Sequence, residues 1–369
     1  MRLMTKHTQL WSIILIAYVA MTYGVLAVGD YPKNIVDSAG REIEIELPIE
    51  RIIVQNGGAA RAVMSLGAAD KVIGVADFIT KDPERYPLLK DKQVVGTWKS
   101  FDYELIGKIA TNEDSNSIVP DIIVLCYYYT GMSLSFDSFV EGFAPFENIT
   151  LIALDFTNPD NITDSMRKLG TILDKEDKAN EFISWRKEKT SQIESAVEGL
   201  PEPTVYIESS ASRALGELTV FGPCSGFGTL VKMVGGDNIA THLNESFSKV
   251  TWEWVVSQNP DVMLIWKSAD TVGWDPMSSN DVAGLDDHIN EVLGRPGSSS
   301  ITAIKDGNAY LCNSMILSGM ESILGLAWIA KILHPEADID PMEIWEEYMR
   351  ITGFGYPDDR IFVYPEMDE

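Results

Sequence analysis

Short runs of β-branched and aliphatic residues alternate with segments of helical periodicity along most of this chain. Buried strands are predicted at 51–55 (RIIVQ), 71–76 (KVIGVA), 121–126 (DIIVLC) and 151–155 (LIALD). The strand pattern restarts after residue 203, at 204–208, 217–222, 261–266 and 308–312. Strands that alternate with helices favour a mainly parallel sheet covered on both faces. The fold class predicted is therefore α/β.

The middle of the chain has a different pattern. From Asn161 to about Val197 apolar residues recur near a 3.6-residue period, with one interruption at Asp174, which we expect to cap a second helix. This predicts an N-terminal α/β lobe at 35–157, a linking helical segment at 158–198 and a C-terminal α/β lobe at 199–360. A ligand cleft is expected between the lobes. A packed linking helix restricts hinge closure, because bending it breaks backbone hydrogen bonds.

One sequence motif, or phrase, occurs twice in the chain. TWEWVVSQNPDVMLI (251–265) matches DYELIG followed by VPDIIVL (102–125), except for a polar insert, TNEDSNS, at 111–117. Glu104 and Glu253 each fall early in a predicted helix, where the helix dipole favours a carboxylate. Two such anions on opposite lobes would suit a partner with a matching pair of cationic pockets. The alternative is that each glutamate only stabilises its own helix.

The net charge and the N-terminal segment indicate which partners the protein does not bind and where in the cell it is located. A net charge of −26 argues against nucleic-acid binding, which needs a basic face. Arg2, Lys6 and His7 precede an uncharged run from Leu10 to Val28. This is the layout of a secretory signal, and residues 1–28 are predicted to be a cleaved signal peptide or a retained anchor. Both alternatives place the remainder outside the cytoplasm.

The loops that follow the predicted strands hold the candidate ligand contacts, because ligands of open α/β sheets bind beyond the carboxyl ends of the strands. Aromatic side chains there would supply flat walls, and cations would meet an anionic group on a bulky ligand. Each residue could instead pack on its own lobe. The candidates are Trp98, Lys99, Tyr127, Tyr128, Arg213 and Trp274.

Signatures of enzymes and metal sites are missing. The sequence has no P-loop, no HExxH and no GxSxG motif, and its four histidines are scattered. We therefore expect no catalytic residue, no bare metal site and no intrinsic cofactor. Cys126, Cys224 and Cys312 are too few for a disulfide framework. A Cys224–Cys312 bridge and three small buried residues stay open as alternatives.

Several ordered motifs carry a resemblance to a known family. They are VDSAGREIEIELPIERIIV (36–54), SLGAADKVIGV (65–75), the two Pro-Asp strands, VKMVGGDNIA (231–240) and SILGLAWIAKILHPE (322–336). With these motifs the chain resembles the substrate-binding proteins of ABC importers for ferric siderophores, haem and cobalamin. The resemblance covers about residues 35 to 350. The chain departs from it at SGMES (318–322), where many siderophore receptors have Gly-Pro-Arg.

The resemblance implies a monomeric extracytoplasmic receptor and not an enzyme. It would capture a metal chelate and deliver it to an ABC permease and its ATPase, with Glu104 and Glu253 docking on the permease. A ferric siderophore is the first candidate cargo, and haem or a corrinoid such as cobalamin is the alternative. Two readings from other classes are a chelatase-like α/β metalloenzyme, which could use the three cysteines, and a surface adhesion or scaffold protein.

Overall fold

The structure is a computed structural model that describes residues 31–112, 117–129, 136–209, 215–243, 245–268, 271, 274, 282–355 and 360–367. The predicted signal segment at 1–28 and the candidate ligand residue Arg213 lie outside these ranges. Within them, no helix has the length and hydropathy needed to span a bilayer.

The N-terminal lobe is built on a parallel five-stranded sheet with the order β11-β10-β3-β4-β5. An antiparallel hairpin, β1–β2, precedes it, and two short hairpins, β6–β7 and β8–β9, lie between its strands. The strands are β1 Lys33–Val36, β2 Glu42–Ile45, β3 Arg51–Val54, β4 Val72–Val75, β5 Gln93–Val94, β6 Gly96–Thr97, β7 Ser100–Phe101, β8 Thr111–Asn112, β9 Ser117–Ile118, β10 Ile122–Cys126 and β11 Ile149–Ala153. The helices are α1 Gly57–Ser65, α2 Asp77–Lys81, α3 Tyr103–Ala110 and α4 Phe136–Phe143.

The C-terminal lobe has a mixed sheet. Its main order is β15-β13-β12-β16-β17-β18, and β14 also pairs with β12. The strands are β12 Thr204–Ser209, β13 Leu218–Phe221, β14 Asp237–Asn238, β15 Phe247–Val250, β16 Val262–Lys267, β17 Ala309–Asn313 and β18 Val363–Tyr364. The helices of this lobe are α7 Gly226–Met233, α8 Trp252–Gln258, α9 Ala283–Leu293, α10 Thr302–Lys305, α11 Ser322–Leu333 and α12 Pro341–Thr352.

The central strands of both sheets are parallel and have the same arrangement, which confirms the α/β prediction. The order β11-β10-β3-β4 in one lobe corresponds to β17-β16-β12-β14 in the other, and all these neighbours are parallel. In both lobes a glutamate-bearing helix, α3 or α8, precedes the strand that lies second in this order. The repeated phrase in the sequence therefore marks equivalent positions of two similar sheets.

Two helices, α5 Ile162–Ile172 and α6 Glu176–Val197, form the linking segment. The predicted break is present, but the expected cap is wrong. Lys175 occupies the N-cap position of α6 and makes no capping bond. Asp174 instead takes a left-handed conformation, with φ of 55°. Its carboxylate accepts hydrogen bonds from Tyr31 and Lys33, so this residue ties the start of the described chain to the linker.

One hydrophobic cluster, the shared core, runs through both lobes. Alternate residues of each central strand face opposite sides. On β3, Ile52 belongs to the shared core, whereas Ile53 belongs to a second cluster on the outer face of its own lobe. On β12, in the same way, Val205 lies in the shared core and Tyr206 lies in the outer cluster of the C-terminal lobe. The linking helices and α11 pack into the shared core, so the lobes are joined by continuous packing.

A buried ion pair crosses between the lobes. Nε of Arg61, on α1, lies 2.6 Å from Oε1 of Glu321, just before α11, and neither side chain is exposed. Nη2 of Arg85 lies 3.6 Å from the other carboxylate oxygen, and the Arg61 guanidinium stacks on the Phe354 ring. Burial by itself would raise the pKa of the Glu321 carboxyl, but Arg61 and Arg85 overcome it and hold that pKa below its usual value.

This lowered pKa predicts an acid-sensitive contribution to stability. The contribution is present above the ordinary carboxyl pKa of 4.5 and is lost as the pH falls through the lower pKa of the folded state. The difference in unfolding free energy between the wild type and Glu321→Gln should therefore shrink from about pH 7 to about pH 3. Urea unfolding at each pH measures it. A difference that stays constant would contradict the assignment.

Candidate functional site

A pocket of about 280 Å³ lies between the lobes, at the carboxyl ends of the strands. The N-terminal lobe contributes Tyr127, Tyr129 and Thr157. The C-terminal lobe contributes the aromatic residues Phe221, Phe227, Phe247 and Trp266. It also contributes Ser209, Ser225, Gly226, Leu317 and Ser318. The position agrees with the rule for open α/β sheets, and the lining is mostly apolar with a few hydroxyl groups.

Sheet register brings the C-terminal wall together. Ser209 ends β12 and pairs with Trp266, near the end of the parallel strand β16. Phe221 ends β13 and pairs with Phe247, which begins the antiparallel strand β15. The rings of these two phenylalanines lie 5.1 Å apart between centroids. Phe221, Phe247 and Trp266 all line the pocket on the wall formed by the C-terminal lobe.

The N-terminal wall is held by buried polar groups. The side chain of Gln55 accepts a hydrogen bond from the backbone of Tyr127 and donates one to the carbonyl of Thr97, in the β6–β7 hairpin. The carboxylate of Asp155, which is fully buried, accepts the backbone N–H of Thr157 at 3.0 Å. These bonds fix the loops after β10 and β11 that line the pocket.

Tyr129 connects the two lobes across the cleft. Its hydroxyl donates to the carbonyl of Cys224 at 3.2 Å and accepts the backbone N–H of Gly226 at 3.0 Å. Burial raises the pKa of Tyr129 from 10 to about 12, so the hydroxyl stays protonated and able to donate even at alkaline pH values at which a free tyrosine ionises.

The loop before α7 is shaped by small residues. Ser225 caps the helix by accepting the backbone N–H of Gly228 at 2.9 Å. A Cβ on Gly228 would lie 2.1 Å from the carbonyl of Gly222, and a Cβ on Gly222 would lie 1.9 Å from that of Glu245. Glycine is therefore required at both positions of the sequence GPCSGFG, and the tight turn brings Ser225 and Gly226 to the pocket.

Three of the sequence-predicted ligand residues lie together at one side of the cleft. Tyr127 lines the pocket. Trp98, at the tip of the β6–β7 hairpin, is 40% exposed and lies edge-on to Tyr127, with 5.8 Å between ring centroids. The ammonium group of Lys99 lies 4.4 Å from the centre of the Trp98 ring. These residues form the rim of the cleft on the N-terminal lobe.

Two other predicted residues pack on their own lobes. Tyr128 packs edge-on against Phe136 and joins the outer cluster of the N-terminal lobe. Trp274 is only 1% exposed, belongs to the outer cluster of the C-terminal lobe, and donates its indole N–H to the carbonyl of Ser268. Neither residue is part of the pocket lining.

Some pocket residues were missed by the sequence reasoning. Phe221, Phe247 and Trp266 lie within strands, whereas the ligand contacts were predicted in the loops that follow strands. A signal was present, because Phe221 and Trp266 are the last aromatic residues of two predicted strands, ELTVFG and DVMLIW. No pattern in the sequence pointed to Thr157.

The cysteines are not bridged. Cys126 and Cys312 are buried and Cys224 is exposed, and all three are free thiols. The prediction of a Cys224–Cys312 bridge is therefore wrong. Cys126 and Cys312 instead fit the alternative prediction, that the cysteines are small buried residues. Across the described ranges, no group of three or more histidine, cysteine or acidic side chains is arranged to hold a metal ion.

Glu104 and Glu253 occupy matching helix positions. Each is the second residue of its helix, after Tyr103 in α3 and after Trp252 in α8, and each side chain is exposed. Both helices are capped in the same way, because Asp102 and Thr251 accept the backbone N–H three residues ahead. The β8–β9 hairpin, which holds the described part of the polar insert, starts at the opposite end of α3.

Comparison with known proteins decides the family. The family profile described as periplasmic binding protein matches residues 52–315, which is more than two thirds of the chain. This chain is a member of the periplasmic binding protein family. The family consists of extracytoplasmic solute-binding proteins, so the chain is a binding protein and not an enzyme.

Individual relatives of this periplasmic binding protein are distant. A cobalamin-binding protein of Halobacterium salinarum is 22% identical over 247 residues, which cover 65% of this chain. The chain spans about 60% of the length of that relative.

Two solved structures have the same fold. The TroA-like periplasmic binding protein FepB from Veillonella parvula is 21% identical, with a TM-score of 0.70, and the match covers 90% of this chain and 99% of that one. The molybdate-binding protein MolA of Haemophilus influenzae is 17% identical, with a TM-score of 0.66 and coverage of 88% and 99%.

Proposed function

We propose that this protein is the extracytoplasmic receptor of an ABC importer and captures a metal chelate in the cleft between its lobes. The observation that carries this proposal is the pocket at the strand ends, whose walls come from both lobes and are mainly aromatic. A volume of about 280 Å³ is near the lower end of the range for ligand pockets, about 300–1,000 Å³. A bulky chelate would insert one face and leave the remainder toward the rim at Trp98.

A ferric siderophore is the first candidate cargo, as the resemblance implies. A corrinoid is the second candidate, and the observation that favours it is the name of the Halobacterium relative. Haem is an alternative that the aromatic walls also suit. Each of these ligands absorbs in the near ultraviolet, where tryptophan emits, so each would quench tryptophan fluorescence when it is bound near Trp266.

The receptor would deliver its cargo by docking on a permease and its ATPase. Glu104 and Glu253 are proposed as the docking residues, because both are exposed carboxylates at the same position of equivalent helices on the two lobes. Charge-assisted bonds to cationic pockets of the permease would hold both lobes at once.

Replacing Trp266 with alanine tests the position of the ligand. We expect the affinity for the bound chelate to fall by about 10- to 30-fold, because truncation of an aromatic anchor costs about 2 kcal/mol. The measurement is a calorimetric titration, which does not depend on the tryptophan removed, of the full-length protein, purified in mild detergent, with a ferric trihydroxamate, cyanocobalamin and hemin.

Trp254→Ala is the matched control, since it removes a tryptophan of the same lobe that does not line the pocket. Its affinity should stay within about twofold of the wild type. An equal loss in both variants would show that the ligand does not bind against Trp266. No binding of any of the three probes would count against the receptor function itself.

A further inference from the structure

A second buried ion pair lies on the outer face of the C-terminal sheet. Glu208 follows Tyr206 by two positions on β12, so both side chains face the outer cluster of that lobe. The side chains of Glu208 and Arg295 are only 1% and 3% exposed. Both oxygens of the carboxylate accept hydrogen bonds from the guanidinium, at 2.6 and 2.8 Å. The Tyr206 hydroxyl donates to the same carboxylate at 2.7 Å, and Glu291 accepts from Nε of Arg295 at 3.1 Å. These charge-assisted hydrogen bonds hold the guanidinium in one position.

The same arginine contacts the helix that carries Glu253. Trp252 is the first residue of α8 and is 2% exposed. The guanidinium carbon of Arg295 lies 4.9 Å from the centre of the Trp252 ring, and the indole N–H donates to the carbonyl of the next residue, Pro296, at 2.8 Å. Consecutive residues of a helix point about 100° apart. Trp252 therefore faces inward to the ion pair, while Glu253 stays exposed on the surface.

The N-terminal lobe holds its matching helix in another way. Tyr103 occupies in α3 the position that Trp252 has in α8, directly before Glu104. The Tyr103 ring packs against those of Phe143 and Phe101, with 5.1 and 6.0 Å between ring centroids. Each docking glutamate therefore follows an aromatic residue that packs on the outer cluster of its own lobe. Apolar rings hold that aromatic residue in one lobe, and an ion pair contacts it in the other.

An ion pair at this place gives direction more than stability. Desolvating two buried ions costs about as much as their attraction returns, and apolar residues of similar volume are often neutral or better. The planar guanidinium, however, fixes the direction of each partner along its fork of N–H groups. Trp252 contacts this fixed segment through both its ring and its indole N–H. The start of α8 is thereby fixed in position and in rotation.

We propose that Arg295, held by Glu208, is a positioning residue for the docking carboxylate of Glu253. It acts through Trp252 and sets the orientation of α8 in which Glu253 reaches a cationic pocket of the permease. This inference rests on the docking role proposed above for Glu104 and Glu253, and it adds the group that positions one of the two carboxylates.

Arg295→Met combined with Glu208→Gln removes both charges and keeps an acceptor for the Tyr206 hydroxyl. Uptake of radiolabelled ferrichrome, cyanocobalamin and hemin is measured in cells that carry this variant in place of the wild-type protein, at the same receptor level. We expect uptake of the transported probe to fall about tenfold, equivalent to about 1.4 kcal/mol. The affinity of the purified full-length variant for that probe, measured by calorimetry, should stay within about twofold of the wild type, because neither residue lines the pocket.

A change of background separates positioning from a general loss of structure. In a Glu253→Ala background the same two substitutions should lower uptake further by less than about twofold, because the carboxylate that they position is already gone. In a Glu104→Ala background they should lower uptake by the full tenfold or so, because Glu104 lies on the other lobe. A receptor that is merely destabilised would lose the same fraction of uptake in both backgrounds.

Trp252→Phe tests the same link and leaves the ion pair intact, so no buried charge loses its partner. It keeps a ring in the outer cluster and removes the indole N–H that binds the carbonyl of Pro296. We expect uptake to fall about threefold in the wild-type background and to be unchanged in the Glu253→Ala background.

Each failure has a distinct meaning. Equal losses in the two backgrounds, or wild-type uptake in the Arg295 and Trp252 variants, would overturn the inference and leave the docking role of Glu253 standing. Wild-type uptake by Glu253→Ala alone would overturn that docking role, and the inference would fall with it. Absence of binding of every probe would overturn the receptor function itself.

Discussion

Glu321→Ala is expected to lower the free energy of unfolding by about 3–5 kcal/mol, because it leaves the Arg61 guanidinium buried without its counter-charge. Both side chains of this pair are fully buried, and the pair joins α1 of one lobe to the start of α11 in the other. The start of α11 is also held by a contact outside this pair, because the Arg186 guanidinium of α6 donates a hydrogen bond to the hydroxyl of Ser322 at 2.9 Å. Urea unfolding followed by fluorescence measures the loss, and the continuous core predicts one transition for both lobes.

A double variant separates the stability lost through an uncompensated buried charge from the stability lost through poorer packing. Arg61→Met combined with Glu321→Leu should lose less stability than Glu321→Ala alone, because replacing both ions by apolar groups avoids an uncompensated buried charge. Asp164→Ala is the control, since the Asp164 carboxylate is half-exposed and pairs with Arg167 and Lys168 of its own helix. Its removal should cost about 0–1 kcal/mol. A comparable small loss for Glu321→Ala, or two separate transitions, would contradict the inter-lobe role.

Glu104→Ala combined with Glu253→Ala is expected to reduce uptake of the cargo by about 100-fold or more while ligand affinity stays within about twofold. Removing one partner of a hydrogen-bonded charge pair at an interface costs about 2–5 kcal/mol, and each 1.4 kcal/mol is a factor of ten. Both side chains are exposed and neither lines the pocket. Uptake is measured in cells that carry the variant in place of the wild-type protein, and affinity is measured on the purified variant.

The control must remove the same charge elsewhere. Glu141→Ala combined with Glu343→Ala does so, because Glu141 and Glu343 are exposed carboxylates on α4 and in the first turn of α12. This variant should transport at the wild-type rate. If the Glu104 and Glu253 variant loses ligand affinity instead, those residues contact the ligand and the docking assignment fails. Equal loss of uptake in both double variants would indicate a general charge effect.

Local patterns in the sequence predicted most of the secondary structure. The β-branched runs form strands and the long 3.6-residue period forms α5 and α6, because burial of an apolar face imposes its period on the residues. The expected cap at Asp174 failed for a reason outside that pattern. Its carboxylate binds Tyr31 and Lys33, more than 140 residues away along the chain, and no local rule detects such partners.

The candidate site was harder to predict than the fold. The rule that ligands bind at strand ends led to Tyr127 and the Trp98 rim, but the same rule could not separate Trp266, which lines the pocket, from Trp274, which is buried in its own lobe. Both tryptophans lie near the end of one strand in the sequence. Which of the two tryptophans reaches the cleft depends on tertiary packing and on the position of the opposite lobe.

By itself, the sequence determined the two α/β lobes, their helical link and the matched glutamates at the helix starts, because each of these follows from periodicity and capping within about 20 residues. The tertiary structure alone decided the free state of the cysteines, the ion pair between Arg61 and Glu321, and the aromatic lining of the cleft. Those features join residues that are distant in sequence. They form only when the two lobes pack on a common core, which brings their strand ends face to face.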